Sequence, residues 1–280
     1  MNIKVSKILA KIATKISPKI YIKLSYLHNR GKLPNLKNPK DVSEIILSTM
    51  YTGKVNEYSD YVDKLKVRDI LTKWGYSNFL PRIYGIWDTP EEIDFDELPN
   101  SFALKTNHGC GHHYFCRDKK ELNKIEAIRV INEALETKFG LAETQYHSIR
   151  PQVYCEEFID DGTGILPSDY KFLCTDGEIK CILIVTERTE NNYKLLTYDV
   201  NWRKLDYVTP HYQTNYQFKQ PSNLKLMTKI AKEISQKFEF VRVDFYDLGN
   251  RIFIGELTFT PQGGIMSYFT DDAIIKLGRN

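Results

Sequence analysis

The sequence lacks the features that mark several classes of protein. No stretch approaches roughly eighteen consecutive apolar residues, so no membrane-spanning helix is predicted. The N-terminus has no compact apolar run of the kind that signal peptides carry. The five cysteines, at positions 110, 116, 155, 174 and 181, show no CxxC spacing. Reduced thiols in a cytoplasmic protein are the simplest explanation.

Several motifs are also missing. The chain has no internal repeat, no low-complexity tract, no Walker sequence GxxxxGK[ST] and no recognisable nucleic-acid-binding module. Its 280 residues are 42% hydrophobic and 27% charged, which is typical of a globular protein. That length allows one large domain or two to three subdomains.

Acidic residues are absent from the first forty positions. Residues 1–40 contain nine Lys and one Arg, whereas residues 41–280 contain 29 basic and 36 acidic side chains. Apolar and basic residues both recur every four positions, at Ile8, Ile12, Ile16 and Ile20 and at Lys7, Lys11, Lys15, Lys19 and Lys23. This pattern predicts a basic amphipathic helix, interrupted near Pro18. Packing on the domain with a solvated lysine face is the favoured interpretation. The alternative is contact of residues 1–28 with an anionic membrane surface. No nucleic-acid partner is expected, because the rest of the chain is net acidic.

Strands alternate irregularly with helices, which predicts an α+β protein. Residues 1–75 have mainly helical patterns, including helices from Asp41 and over 58–75. Further predicted elements follow in chain order: a strand Ile83–Trp87, strand–glycine loop–strand over 101–118, a helix over 119–139, a strand over 152–160, a hairpin turning at Asp176-Gly177, a helix Leu224–Phe238 and a hairpin over 240–264.

The last hairpin carries two acids in otherwise apolar strands. Asp244 follows Arg242 at i+2, so both side chains point to one face of the strand, and Glu256 and Thr258 likewise share a face. A carboxylate buried in a sheet is costly unless it is paired or bound to metal. Oxygen ligands of this kind suit Mg²⁺. The alternative is an internal Arg242–Asp244 salt bridge with Glu256 at a surface edge.

A second candidate is the stretch LKTNHGCGHHYF. Lys105 ends a strand and precedes a loop with Gly109 and Gly111, whose backbone N–H groups could turn toward an anion. A rival interpretation is a zinc site, although its potential ligands lack the usual two-plus-two spacing: His108, Cys110, His112, His113 and Cys116. A polar loop contact or a substrate contact suits His108 better.

A third candidate combines the strand YCEEFID with the hairpin that follows it. Glu156 and Glu157 end the strand, where backbone groups could meet an adenine base and a carboxylate a ribose. Asp169, Lys171 and Arg188 add charges on the hairpin strands. Alone these charges are weak signals, because charged strand residues are usually solvated.

Taken in order, these motifs resemble the nucleotide site of ATP-grasp proteins. A lysine precedes a glycine loop, and EEF-I, DYKF, a distant Arg and Asp…Glu-x-Thr follow. More closely, blocks over about residues 35–280 resemble the TupA-like ATP-grasp family of polysaccharide-biosynthesis clusters, many members of which are labelled glycosyltransferases. The blocks include NPKDVSEII, DKLKVRDIL, YGIWDTPEEIDFDELPNSFALKTNHGCG, DVNW and FVRVDFYDLGNRIFIGELTFTPQGG. The sequence departs from the family where SEII replaces NEKI, HGCG replaces HGSG and TPQGG replaces TPGSG.

The resemblance implies a fold and a set of roles. It implies a helical region over 1–75 and α+β subdomains over 76–155 and 156–280 that enclose the nucleotide. The implied nucleotide-binding residues are Lys66, Lys105, Asn107, His108, Gly109 and Gly111 for phosphates, and Glu156, Glu157, Phe158, Ile159 and Asp169 for the rest of ATP. Lys171 and Arg188 would act on the transferred phosphoryl group. Mg²⁺ would be held by Asp244, Glu256 and Thr258.

The implied function is an ATP-dependent carboxylate–amine ligase that works through an acyl phosphate and amidates a uronic acid of a surface polysaccharide. A kinase that stops at phosphoryl transfer is a close variant. One alternative is a glycosyltransferase, for which Asp94 and Asp96 supply a D-x-D pair, although a solvated turn explains that pair better. A catalytically silent binding module is a further alternative.

Overall fold

The computed structural model describes residues 17–279 apart from 110, 112, 161, 163–166 and 187–192. Their contacts group them into two compact units. The first contains described residues of 1–56, 141–144 and 168–280, and the second contains those of 57–140 and 145–167. The division into 1–75, 76–155 and 156–280 is a different partition and stays a prediction.

The helices begin and end at local sequence signals. In the described residues they are α1 Pro18–Arg30, α2 Val42–Thr52, α3 Ser59–Val62, α4 Lys66–Lys73, α5 Lys124–Glu136, α6 Leu224–Ser235 and α7 Asp271–Lys276. Helix α2 starts where the sequence predicts it, because the Asp41 carboxylate accepts a hydrogen bond from the Glu44 N–H (2.8 Å). Gly31 ends α1 in the left-handed conformation that favours glycine. No helix of the described residues is long and apolar enough to cross a membrane.

Two predicted helices start later or are interrupted, and the helix predicted over Leu224–Phe238 ends three residues earlier, at Ser235. The helix expected over 58–75 is divided into α3 and α4, because the buried Asp63 between them accepts a hydrogen bond from the Leu65 N–H (3.0 Å). The helix expected over 119–139 begins only at Lys124, where the Asn123 side chain caps it. In both cases a short polar side chain sets a helix start that the apolar spacing did not reveal.

The strands form two antiparallel sheets. They are β1 Ile83–Trp87, β2 Phe102–Thr106, β3 His113–Cys116, β4 Val153–Glu157, β5 Asp169–Thr175, β6 Glu178–Thr186, β7 Lys194–Tyr198, β8 Lys204–Leu205, β9 Phe240–Asp247 and β10 Ile252–Thr258. The second unit holds a sheet of order β1-β4-β2-β3, and the first holds one of order β10-β9-β5-β6-β7-β8. Antiparallel sheets with helices confirm the predicted α+β class.

The four-stranded sheet has helix α5 packed on β2 and β3. Its core consists of apolar side chains from the strands, from α5 and from residues 93–98, among them Phe102, Leu104, Val153 and Ile131, which are fully buried. Strand β1 has the predicted bounds. The core fixes β2 and β4 side by side, and these strands carry Lys105 and Glu156.

The six-stranded sheet contains both predicted hairpins. Asp176 and Gly177 turn between β5 and β6 with positive φ, as the Asp-Gly pair predicted. Phe172 and Phe245 are fully buried and meet edge to face at 5.3 Å, and helix α6 packs on β5, β6 and β9. Side chains alternate between the two faces of a strand, so Lys171 and Asp244 point away from this apolar layer.

Candidate functional site

The six-stranded sheet brings a row of charged side chains together on one face. Lys171 on β5 lies opposite Asp244 on β9, and Asp244 lies opposite Glu256 on β10. Arg242 lies opposite Thr258 in the neighbouring row. Directly opposed residues share a face, so this register places all five side chains on the same surface of the sheet. We call these five residues the sheet cluster.

Asp244 is the centre of the sheet cluster. Arg242 donates from Nε to Asp244 Oδ1 and from Nη2 to Asp244 Oδ2, both at 2.7 Å. Lys171 donates from Nζ to Asp244 Oδ2 at 2.6 Å. Burial by itself would raise the pKa of Asp244, but Arg242 and Lys171 outweigh burial and hold that pKa below its ordinary value. The carboxylate is therefore ionised and fully paired.

Arg242 also links the two strands of the last hairpin. Its Nη2 donates to Thr258 Oγ1 at 3.0 Å and lies 3.6 Å from Glu256 Oε2. The Glu256 side chain is 28% exposed, against 4% for Asp244. Asp169 adds a further negative charge beside the cluster, because its Oδ2 lies 3.3 Å from the Lys171 ammonium. The alternative Arg242–Asp244 salt bridge is thus present, and Glu256 is the more accessible acid beside it.

The sheet cluster has the oxygen atoms that Mg²⁺ prefers, two carboxylates and a hydroxyl. Both oxygens of Asp244 nevertheless hold cationic donors already. Within the described ranges, no three His, Cys, Asp or Glu side chains are grouped as a metal site. The chemistry of Asp244, Glu256 and Thr258 fits the ion, provided that Asp244 exchanges a hydrogen bond with Lys171 or Arg242 for a metal bond.

A second charged group lies in the other unit, on the four-stranded sheet. Lys105 donates from Nζ to Glu156 Oε1 at 2.6 Å, and Arg68 Nη1 lies 3.8 Å from Glu156 Oε2. Glu156 is buried, with 6% of its surface exposed. We call Arg68, Lys105 and Glu156 the strand cluster. The resemblance implied separate roles for Lys105 and Glu156, and the structure joins them in one ion pair.

Lys66 stands apart from the strand cluster. Its ammonium donates to Asp60 Oδ1 at 2.7 Å, and its side chain is 61% exposed. This hydrogen bond, which Lys66 donates to the Asp60 carboxylate, raises the pKa of Lys66. Arg68, two residues further along helix α4, reaches Glu156 instead. Arg68 lies within the block DKLKVRDIL, but the sequence does not single it out, because the direction in which α4 faces the sheet is a tertiary property.

Asn107 anchors the start of the glycine loop within the protein. Its side chain donates to Asp63 Oδ1 and to the Arg150 carbonyl, both at 3.1 Å, and accepts from the Gln152 N–H at 2.8 Å. Its backbone N–H donates to the Gln152 carbonyl, and its carbonyl accepts from the Lys64 N–H. All of these polar groups already form hydrogen bonds. An anion bound by this loop would therefore contact the residues after Asn107.

His108 and Gly109 are packed against one aromatic ring. The His108 ring meets Phe139 edge to face at 5.5 Å, and its Nδ1 is buried without a hydrogen-bond partner. Burial lowers the pKa of His108, so the imidazole is neutral. Gly109 has φ +70°, and a Cβ there would lie 1.9 Å from Phe139. Gly111 also has positive φ but has open space around it. Only glycine fits at position 109.

The remaining predicted nucleotide contacts follow strand β4. The Glu157 carboxylate accepts from the Arg82 N–H at 3.1 Å. The Phe158 ring lies 5.8 Å from Phe115 and 5.1 Å from the Arg117 guanidinium, which together form a partly exposed aromatic surface. Ile159 is partly exposed. Arg188, predicted to act on the phosphoryl group, lies outside the described residues.

The described residues support neither the zinc site nor the D-x-D metal motif. Of the five potential zinc ligands, Cys110 and His112 lie outside the described residues, and the Cys116 thiol is buried 3.9 Å from the Asn100 carbonyl. Asp94 and Asp96 lie in an exposed turn, where Asp94 Oδ1 accepts from the Asp96 N–H (2.9 Å) and the Asp96 carboxylate pairs with Lys124 (2.9 Å). This is the solvated turn that the sequence favoured.

Solved structures similar to this chain include several ligases. D-alanine–D-alanine ligase from Bacillus anthracis, in complex with ATP, is 16% identical, with 71% of this chain and 55% of that chain covered and a TM-score of 0.44. The ATP-grasp ligase PsnB in complex with its minimal precursor is 11% identical, with 78% of this chain and 59% of that chain covered and a TM-score of 0.41. L-amino acid ligase from Bacillus licheniformis is 15% identical, with 89% of this chain and 48% of that chain covered and a TM-score of 0.44. The chain spans roughly half to three fifths of the length of these proteins. Similarity at this level establishes neither substrate nor activity.

No curated protein matches the sequence. The sequence model of the family described as TupA-like ATPgrasp matches residues 44–280. Both the sheet cluster and the strand cluster fall within that range, whereas helix α1 precedes it. The chain therefore belongs to the TupA-like ATP-grasp family, as its sequence motifs predicted.

Proposed function

We propose that this protein is an ATP-dependent ligase that joins a carboxylate to an amine through an acyl phosphate. The observation that carries the proposal is the sheet cluster, in which Asp244 and Glu256 lie beside Arg242 and Lys171 on one sheet face. A buried carboxylate with two cations and a more accessible acid beside it is suited to binding a metal–phosphate group. Membership of the ATP-grasp family supports the same interpretation.

Asp244, Glu256 and Thr258 would hold Mg²⁺. When bound, the ion neutralises negative charge on the phosphoryl group that is transferred. The protein's part is to exchange partners at Asp244, because Arg242 occupies Oδ1 and Lys171 and Arg242 both occupy Oδ2. A Lys171 ammonium released from Asp244 could pair with a phosphate oxygen, which is the role that the family resemblance implies for Lys171 together with Arg188.

The strand cluster would bind the rest of the triphosphate, with its cations exchanging the Glu156 carboxylate for phosphate oxygens. Glu156 holds Lys105 and Arg68, so both cations are oriented before an anion arrives. The N–H groups after Asn107, around His108, Gly109 and Gly111, would complete the phosphate contacts. Glu157, Phe158, Ile159 and Asp169 would contact the base and ribose. Lys66 is the weakest of these assignments, because its ammonium is already paired with Asp60.

The reaction proceeds in two transfers. A substrate carboxylate oxygen attacks the γ-phosphorus, the bond to the bridging oxygen breaks, and ADP leaves. The amine nitrogen then attacks the acyl carbon, phosphate leaves with the bonding electrons, and the nitrogen loses its proton. Arg242, Lys171 and Arg188 would stabilise the charge that spreads over the phosphoryl oxygens.

The proposed substrate class rests on the resemblance to a family of polysaccharide-biosynthesis clusters. We propose a uronic acid carboxylate, on a nucleotide sugar or a growing glycan, and an amino acid or small amine as acceptor. The reaction would take place in the cytoplasm, where ATP is available. Contact of residues 1–28 with a membrane surface does not depend on this reaction.

The test is ADP release with Mg²⁺, measured over a matrix of uronic acids or their nucleotide sugars against amino acids and small amines. ADP that appears only when a carboxylate and an amine are both present supports the ligase. If a carboxylate alone causes ADP release and gives a product that hydroxylamine traps, the protein is a kinase that stops at the acyl phosphate. If no pair releases ADP while a nucleotide sugar is consumed, the proposal is wrong and a glycosyltransferase replaces it.

A further inference from the structure

We infer that the outer face of helix α1 is a docking surface for an anionic lipid bilayer. The surface consists of Ile20, Leu24 and Leu27, which we call the outer stripe, with Lys19 and Lys23 beside it. The inference concerns where the protein binds rather than what it catalyses, so it does not rest on the proposed reaction.

The outer stripe is one of two apolar faces of the same helix. Ile20, Leu24 and Leu27 follow the i, i+4, i+7 spacing that puts side chains on one side of an α-helix. They are 45%, 48% and 38% exposed. Ile22 and Tyr26, on the opposite side, are buried. The core therefore uses one apolar face of α1, and the other faces solvent.

The charge beside the outer stripe is entirely positive within the helix. Lys19 and Lys23 are exposed, and both ammonium groups lie 5.0 Å from the centroid of the Tyr51 ring. The ring therefore holds two like charges at the flank of the stripe. Residues 1–40 contain no Asp or Glu, so the segment has no acidic side chain of its own to neutralise these lysines. The charge beside the stripe therefore favours an anionic partner over a neutral or cationic one.

The helix is fixed to the protein at its C-terminal end. Arg30 donates from Nη1 to the Phe269 carbonyl (3.0 Å) and to Asp271 Oδ1 (2.8 Å), and from Nη2 to the Ile265 carbonyl (3.1 Å). These bonds hold α1 against the C-terminal turn while the outer stripe stays exposed. A bilayer bound to the stripe would thus anchor the folded protein and not merely a loose tail.

The sequence before the helix continues the same pattern. Ile8, Ile12 and Ile16 lie at four-residue intervals ahead of Ile20 and Leu24, and lysines accompany them. Residues 1–16 lie outside the described part of the chain, which starts immediately before α1. In the sequence, the four-residue spacing of apolar residues therefore extends from Ile8 to Leu24, across the interruption near Pro18.

A bilayer suits this surface better than the other occupants. A second copy would place a segment of the same positive charge against the first, and the two would repel each other. Nucleic acid would engage the lysines but leave the apolar side chains in water. An anionic bilayer takes both, because acyl chains bury the apolar stripe while lipid headgroups pair with the lysines.

The experiment is flotation of the full chain with vesicles of phosphatidylcholine alone or of equal parts phosphatidylcholine and phosphatidylglycerol. We expect binding to the anionic vesicles only, with release at high salt. A variant with Ile20→Ser, Leu24→Ser and Leu27→Ser should bind at least about tenfold more weakly, because it loses the apolar part of the interaction. Its thermal midpoint should stay near that of the wild type, since the three side chains are exposed.

The matched control carries the same change at three exposed apolar positions elsewhere, Ile125→Ser, Leu141→Ser and Ile275→Ser, which are 83%, 44% and 55% exposed. The control should bind as the wild type does. The inference is overturned if the wild type ignores anionic vesicles, if the stripe variant binds them normally, or if the control loses binding equally. Sedimentation without lipid is the last arm. A wild-type dimer that becomes monomeric in the stripe variant would assign the surface to a second copy.

Discussion

Replacing Asp244 by Asn tests how strongly the sheet cluster depends on its central carboxylate. The change keeps the shape of the side chain and removes its charge. Three hydrogen bonds of 2.6–2.7 Å from Arg242 and Lys171 then lose their ionised acceptor. The side chains of both cations are largely buried, at 13% and 12% exposed, so neither can recover full hydration.

The expected loss is large because a buried charge is left without its partner. Removing one member of a buried ion pair commonly costs about 3–5 kcal/mol. The Asn carbonyl can still accept one of the three bonds, so we expect the free energy of unfolding to fall by about 3 kcal/mol. The pKa of Asp244 lies below its ordinary value, so its contribution is fully present above about pH 4 and is lost as the pH falls below the folded-state pKa.

Urea unfolding, followed by tryptophan fluorescence and by circular dichroism, measures this loss. The matched control is Asp96→Asn, which removes an equally charged side chain from an exposed pair with Lys124 and should leave the midpoint unchanged. Combining Asp244→Asn with Lys171→Met should cost clearly less than the sum of the single changes, because the double variant removes both partners. Equal losses in the Asp244 and Asp96 variants, or strict additivity, would refute the reasoning.

Three further predictions concern single residues. Glu256→Gln should leave the thermal midpoint unchanged and lower turnover at least about 10²-fold, and near-normal turnover would remove Glu256 from the metal site. Gly109→Ala should lower the free energy of unfolding by more than about 1 kcal/mol, because its Cβ would overlap Phe139 at positive φ; an unchanged urea midpoint would contradict this. Burial lowers the pKa of His108, so wild-type stability should decrease as the pH falls through about 6.5, toward the lower folded-state value. His108→Gln should reduce that decrease, as thermal midpoints from about pH 7.5 to pH 5.5 would show, and an identical pH dependence would count against the assignment.

The elements that the sequence predicted best depend on local signals. Strand β1 has the predicted bounds, and the hairpin of β5 and β6 turns at the predicted Asp176-Gly177, because strand alternation and turn residues act within a few positions. Strand period correctly placed Arg242 with Asp244 on one face, and Glu256 with Thr258 on one face. That the two pairs share the same face depends on a β-bulge between Ile254 and Glu256, which shifts the register by one residue. The sequence analysis did not predict this bulge, and without it Glu256 would lie opposite Val243.

The sequence did not predict contacts between elements that are far apart in the chain. Arg68 and Lys66 are two residues apart on helix α4, yet Arg68 reaches Glu156 and Lys66 pairs with Asp60. The orientation of the helix on the sheet decides this difference, and a periodic pattern does not encode it. Likewise, the Arg242–Asp244 pair was foreseen only as an alternative to a metal site, whereas the structure shows how the two interpretations can hold together.

The sheet cluster and the strand cluster share one arrangement of charge. In each, a buried carboxylate binds two cations, Asp244 with Arg242 and Lys171, and Glu156 with Lys105 and Arg68. Without such a carboxylate, two neighbouring cations on a sheet would repel each other and turn toward solvent. With it, one of the two positive charges is neutralised and both cations are held in place, so under the proposed function a polyphosphate would not have to order their side chains first. The carboxylates therefore have a role before any ligand binds, which is why Asp244→Asn should weaken the fold as well as the reaction.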